Sequence, residues 1–112
     1  MIKKIAVPTE NGMLCAHFGH CQSFTVFEVD GSSIIGESSL VPPPHEPGIL
    51  PAWIAQQQVT DVIAGGMGQR AIQLFNGHSI NVFVGAQMKS PKELAMDLLN
   101  GTLDAGANYC DH

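Results

Sequence analysis

Short apolar runs and helical repeats alternate along the chain, divided by glycine and proline. Residues 2–8, IKKIAVP, predict a first strand, ended by Pro8 and the turn-forming Glu10-Asn11-Gly12. Residues 23–30, SFTVFEVD, are rich in Phe and Val, and Asp30-Gly31 leads on into SSIIGESS, which predicts a hairpin of the second and third strands. In VPPPHEPG (41–48) each proline fixes φ and removes a backbone donor, so this stretch is a connector. Leu50, Trp53 and Ile54 then recur at helical spacing, with Pro51 suited to a first turn, and predict a helix to about Gln58.

VTDVIA (59–64) reads as a buried fourth strand. It passes through Gly65-Gly66-Met67-Gly68 into a helix with Ala71, Leu74 and Phe75 on one face, closed by Gly77. INVFV (80–84) is the fifth strand. Ser90-Pro91-Lys92-Glu93 is a capping box with proline at the first helical position; Leu94, Leu98 and Leu99 form the apolar face and Gly101 ends the helix. The order βββαβαβα predicts one α/β domain over residues 1–101, with the first, fourth and fifth strands parallel. Two segments stand outside it. One is a loop of about 14 residues between the first two strands, longer than such connections usually are. The other is a flexible tail, 102–112, ending Cys110-Asp111-His112.

Length and charge narrow the function. A chain of 112 residues can bury a core without disulfide staples. Its apolar runs fall far short of the ~20 residues of a membrane span. The first residues reach Glu10 too soon for the apolar run of a signal peptide, so a cytoplasmic protein with no membrane partner is expected. The Lys and Arg residues are Lys3, Lys4, Arg70, Lys89 and Lys92, which leaves residues 5–69 without one. No basic stripe can be built from that set, and nucleic acid is not an expected partner.

The candidate chemistry lies in LCAHFGHCQ (14–22) and the tail. Of the Cys and His residues, all but His45 and His78 fall in Cys15-x-His17-x-x-His20-Cys21 and Cys110-Asp111-His112. Thiolate with imidazole suits zinc, copper(I) or iron–sulfur chemistry, whereas magnesium and calcium prefer oxygen. The spacing is neither a zinc finger nor a ribbon, and it contains no C-x-x-C redox pair. Three thiols are one short of the usual iron–sulfur set, so histidine, or a second subunit in a homodimer, would complete the coordination.

The Gly65–Gly68 loop can turn backbone N–H groups towards an anion at a helix N-terminus, or be a plain tight turn. Its position after a parallel strand predicts that it shares one cleft with the Cys/His loop, joined by His45 or not. Enzyme readings fit poorly. A two-metal nuclease needs converging carboxylates, yet the first strand carries none and Glu28, Asp30, Asp61 and Asp97 show no shared face. Doubled Cys and His residues speak for coordination over a cysteine nucleophile.

The stretches IAVPTENG, HFGHCQSFTVFEV, VIAGGMGQRAIQLF and SPKEL resemble the dinitrogenase iron–molybdenum cofactor biosynthesis family, small proteins similar to NifX and to the C-terminal part of NifB. The resemblance implies a ribonuclease-H-like three-layer α/β/α fold with a five-stranded mixed sheet, its second strand antiparallel. It also implies binding or carriage of an iron–sulfur or molybdenum-containing cluster, without turnover, between donor and acceptor proteins. His20 and Gly65, Gly66, Met67 and Gly68 match family positions and are implied to line the site. Cys15, Cys110 and His112 rest on the ligand chemistry alone. A structural or regulatory zinc protein using the same residues is the alternative, and an interaction module with an incidental loop is a further one.

Overall fold

The strand β1 (Ile2–Glu10) is the one on which the others are assembled. In the computed structural model, which describes residues 2–15, 22–42, 49–86, 88–101 and 103, β3 (Ser23–Asp30) pairs antiparallel with β1 from Ile2↔Asp30 to Thr9↔Ser23. On its other side β5 (Asp61–Ile63) pairs parallel at Ile5 and Ala6. Two further strands complete the path: β4 (Ser33–Leu40) lies outside β3, and β6 (Asn81–Phe83) lies parallel outside β5. The order is β4-β3-β1-β5-β6, so the strands expected to be parallel are parallel.

Two expectations about the first strand need correction. Pro8 does not end it. In an extended strand the N–H and C=O of one residue point to the same side, and the Pro8 carbonyl accepts from the Cys15 N–H at 2.9 Å, away from β3. The missing donor therefore falls on the side where pairing with β5 has already stopped, and costs the β3 ladder nothing. The expected long loop is also partly a hairpin. Asn11 and Gly12 both take positive φ, 54° and 80°, as a two-residue hairpin turn demands. The chain returns as β2 (Met13–Leu14), paired at Thr9↔Leu14 and Glu10↔Met13. The sheet thus has six strands instead of five, with β2 off the main path.

Side-chain alternation gives the sheet two buried faces. Ala6, Phe24, Val26, Val62 and Val82 point to one, covered by α1 (Ile49–Gln56) and α2 (Gln69–Gly77) through Leu50, Ile54, Ile72 and Phe75. Trp53 packs edge-on against Phe24, with ring centroids 5.9 Å apart. Ile5, Val7, Phe27, Val29 and Ile63 point to the other, covered by α3 (Pro91–Asn100) through Leu94 and Ala95, with Leu98 and Leu99 packed against the edge of this core. The result is a mixed α/β fold with two helices on one face and one on the other.

The helices differ from expectation in phase and extent. α1 stops at Gln56, two residues early, and in α2 Ile72 is buried with Phe75 while Leu74 is 37% exposed. The repeat of α2 allows either choice; the sheet beneath it decides. Strands expected over 59–64 and 80–84 shorten to 61–63 and 81–83, although Val59, Ala64 and Ile80 stay buried. α3 agrees with its capping box: Ser90 Oγ accepts from the Glu93 N–H, and Gly101 closes the helix at φ 72°. On the outer strand, Glu28↔Gly36 is followed by Val29↔Ile34, so Ile35 is an extra residue, a bulge in β4.

Candidate functional site

Because β1, β5 and β6 are parallel, their C-terminal ends share one edge of the sheet, and the segments leaving them are tied together there. The Leu14 N–H of β2 donates to the Lys89 carbonyl at 3.0 Å, linking the hairpin after β1 to the segment between β6 and α3. That segment is tied in turn to the one after β5. Gly85 N–H donates to the Gly65 carbonyl at 3.1 Å, and Ala86 N–H to the Ala64 carbonyl at 3.2 Å. Cys15, 2% exposed, follows directly on β2. The start of the Cys/His segment and the glycine loop therefore belong to one edge, as the topology required.

Positive φ does not account for the glycine loop. The positive-φ glycines among the described residues are Gly12, Gly31, Gly85 and Gly101, and none of Gly65, Gly66 or Gly68 is with them. Gly68, the N-cap of α2, sits at φ −67° and ψ 152°, which any residue adopts, and a β-carbon there would meet nothing within 4 Å. Neither strain nor internal crowding calls for glycine at that position. The start of α2 also has no side-chain cap and no acidic residue, while Arg70 stands exposed in its first turn. No acidic side chain in its own first turn offsets its positive end, a condition in which a helix N-terminus favours an anion.

Of the candidate ligands, Cys15 lies within the described residues; His17, His20, Cys21, His45, Cys110 and His112 lie outside them. Among the described residues no group of three or more Cys, His, Asp or Glu is placed to hold a metal ion. A set of three or more such ligands would include residues outside the described ones.

The segment between β6 and α3 was missed as part of this edge. Its sequence, Val84-Gly85-Ala86, then Met88-Lys89-Ser90-Pro91, repeats the strand, glycine and helix order of the loop after β5, which is the signal that could have revealed it. Met13 and Met88, 40% and 57% exposed, flank the Leu14–Lys89 bond. Beside them a cavity of about 270 Å³ opens between Thr9, Thr25, Glu37 and the α3 N-terminus at Ser90 and Lys92. Thr9 and Thr25 share a hydroxyl hydrogen bond of 2.9 Å there.

These features define a small α/β protein in which the segments after the parallel strands are tied together at one edge of the sheet. The chain belongs to the dinitrogenase iron-molybdenum cofactor family, whose model matches residues 1–101. It is 31% identical over 108 residues to the uncharacterized protein MJ0580 of Methanocaldococcus jannaschii, across 92% of this chain and 91% of that one. The solved structure of PH0822 superposes with a TM-score of 0.85 at 26% identity, covering 91% of this chain and 93% of the other. The apo form of the orange protein from Desulfovibrio gigas has the same fold at a TM-score of 0.77 and 21% identity, over 95% and 94% of the two chains. The family ties the chain to the iron–molybdenum cofactor by name. No helix among the described residues is long and apolar enough to cross a membrane.

Proposed function

We propose that this protein binds and carries an iron–sulfur or molybdenum-containing cluster as cargo during cofactor assembly, passing it from a donor to an acceptor protein in the cytoplasm without catalysing a reaction of its own. The observation that carries the reading is the tied edge. Cys15 stands at the same edge as a glycine loop whose glycines are not needed for positive φ, at the start of a helix with no acidic residue in its first turn. Clusters held by thiolates are anionic, so backbone N–H groups and the charge of Arg70 suit them. Cys15 supplies a soft donor away from water, and His17, His20 and Cys21 follow within the next six residues. Family membership supplies the class of cargo.

The test is anaerobic reconstitution with iron and sulfide, with and without molybdate, followed by metal and sulfide analysis of the desalted protein. A coloured protein with stoichiometric iron and sulfide, or with molybdenum, is expected. A colourless protein carrying stoichiometric zinc from the same Cys and His residues would replace the cluster reading with a zinc one. Absence of any stoichiometric metal would overturn both.

A further inference from the structure

The structure assigns a second ligand site to the opposite edge of the sheet, in the groove between the C-terminal half of α3 and the starts of β5 and β6, for a small zwitterion whose ammonium and carboxylate groups sit on an apolar body. Its basis is Asp61. This carboxylate opens β5 on the α3 face and is 4% exposed. Oδ1 accepts from the Asn81 amide at 2.8 Å and Oδ2 from the Thr60 hydroxyl at 2.8 Å. Both donors are neutral. The Thr60 hydroxyl has one proton and a second acceptor, the Lys4 carbonyl at 3.0 Å, so it satisfies Asp61 only in part. A buried carboxylate offers about four acceptor positions and is ordinarily matched by a cation. Among the described residues the ion pair is elsewhere, between Lys89 and Asp97.

The surroundings specify the remaining chemistry. Asp61 and Asn81 line a cavity of about 340 Å³ whose walls include Phe83, Leu98 and Leu99, with the exposed Lys3 at its rim. That volume falls at the lower end of the range of roughly 300–1,000 Å³ typical of small-ligand sites. A hydrated divalent ion is a poor match, since it needs several oxygen ligands and the oxygen-bearing side chains lining the cavity are Asp61 and Asn81, already bonded to each other. An ammonium group answers the Asp61 charge, an apolar body the leucines and Phe83, and a carboxylate the charge of Lys3. Residues 104–112 include Asp104 and Asp111 and no Lys or Arg, so they offer no ammonium or guanidinium group to Asp61. The site is independent of the proposed cargo edge, which lies beyond the other end of α3, about 15 Å away for ten helical residues.

Phenylalanine is the probe, read by amide chemical shifts of Asn81, Leu98 and Leu99 in the full chain. Saturable shifts at millimolar phenylalanine are expected, lost with N-acetylphenylalanine, which has no cation. Phenylalanine amide, without the carboxylate, should bind more weakly and be indifferent to Lys3→Met, whereas phenylalanine itself should lose affinity in that variant. Asp61→Asn should weaken binding about tenfold or more, the scale of one hydrogen bond to a charged group. Because that change touches the start of β5, Leu98→Trp is the second variant: it fills the groove and leaves the Asp61 bonds intact, and should abolish the shifts. The proposal is overturned if phenylalanine gives no saturable shift, if the N-acetyl compound binds equally well, or if Leu98→Trp binds as the parent does.

Discussion

The Leu14 N–H and the Lys89 carbonyl, 3.0 Å apart, hold the hairpin that leads to Cys15 against the segment that leads into α3. The side chain of Leu14 is 1% exposed in the core beneath α3, so one residue anchors this edge by backbone and side chain together. Leu14→Ala leaves the N–H in place but removes the packing. Urea unfolding should show a loss of about 2–5 kcal/mol, the cost of truncating a buried leucine, and metal retention after reconstitution should fall with it. A loss well below that range would mean the hairpin is not packed as described.

Cys15 and Cys21 should act as a pair. Replacing either with Ala is expected to lower iron and sulfide content after reconstitution while far-UV circular dichroism is unchanged. A Cys15→Ala, Cys21→Ala double variant with full metal stoichiometry would remove both thiols from the ligand set. If Cys15 is instead an inert buried thiol, its alanine variant loses stability and keeps its metal.

Gly68 separates the two readings of the glycine loop. Its dihedral angles suit any residue and a β-carbon there has open space, so Gly68→Ala should lower stability by no more than about 1 kcal/mol, the difference between a fair and a poor N-cap. Gly68→Val should release bound cluster faster than it lowers the unfolding temperature. Proportionate effects on both would return the loop to the role of a simple connection.

At the start of α3, Ser90 Oγ accepts from the Glu93 N–H at 3.3 Å and donates to the Glu93 carboxylate at 3.0 Å. Ser90→Ala should cost about 1 kcal/mol in thermal or denaturant unfolding, the usual value of an N-cap side chain. Ser90→Asp should recover most of it.

The tail offers a test of geometry. α3 starts at the edge where the parallel strands end, with Ser90 beside Thr9, and ends beside Lys3 and Asp61, so residue 101 stands at the edge away from the proposed cargo. The residues from 102 to 110 can span at most roughly 30 Å, enough to bring Cys110 back or into a neighbouring subunit. Capping by Cys110 and His112 would make residues 103–112 more protease-resistant in the loaded protein. A chain truncated after Asn108 would then lose its metal sooner. Equal retention by the truncated chain assigns the site to the loop alone.

How far the sequence foretold this arrangement depends on where each signal lies. α3 was legible because its ends are written in side chains: Ser90, Pro91 and Glu93 at one end, Gly101 at the other. The β3–β4 hairpin was legible from Asp30-Gly31 between SFTVFEVD and SSIIGESS. β2 was not, because two residues carry no periodicity, and Asn11-Gly12 reads equally as the end of a strand or the tip of a hairpin. In α2, Ala71, Ile72, Leu74 and Phe75 permit more than one buried face, and only the position of the sheet selects Ile72. The Cys/His cluster was marked by residue type alone, and apart from Cys15 its members lie outside the described residues. The tie between Leu14 and Lys89 could not be read at all, since it joins two backbones and leaves no trace in residue type.

The bulge at Ile35 bears on how this protein behaves when crowded. β4 is an outer strand of eight residues with Glu37 as its sole charge, the kind of rim along which another chain can be templated. At Ile35 the alternation of donors and acceptors slips by one residue, so an incoming strand that matches Gly36 to Leu40 falls out of phase with Ser33 and Ile34. The opposite rim, β6, offers only three residues. Neither side presents a long regular template for cross-β growth, so the protein can accumulate without its sheets polymerising.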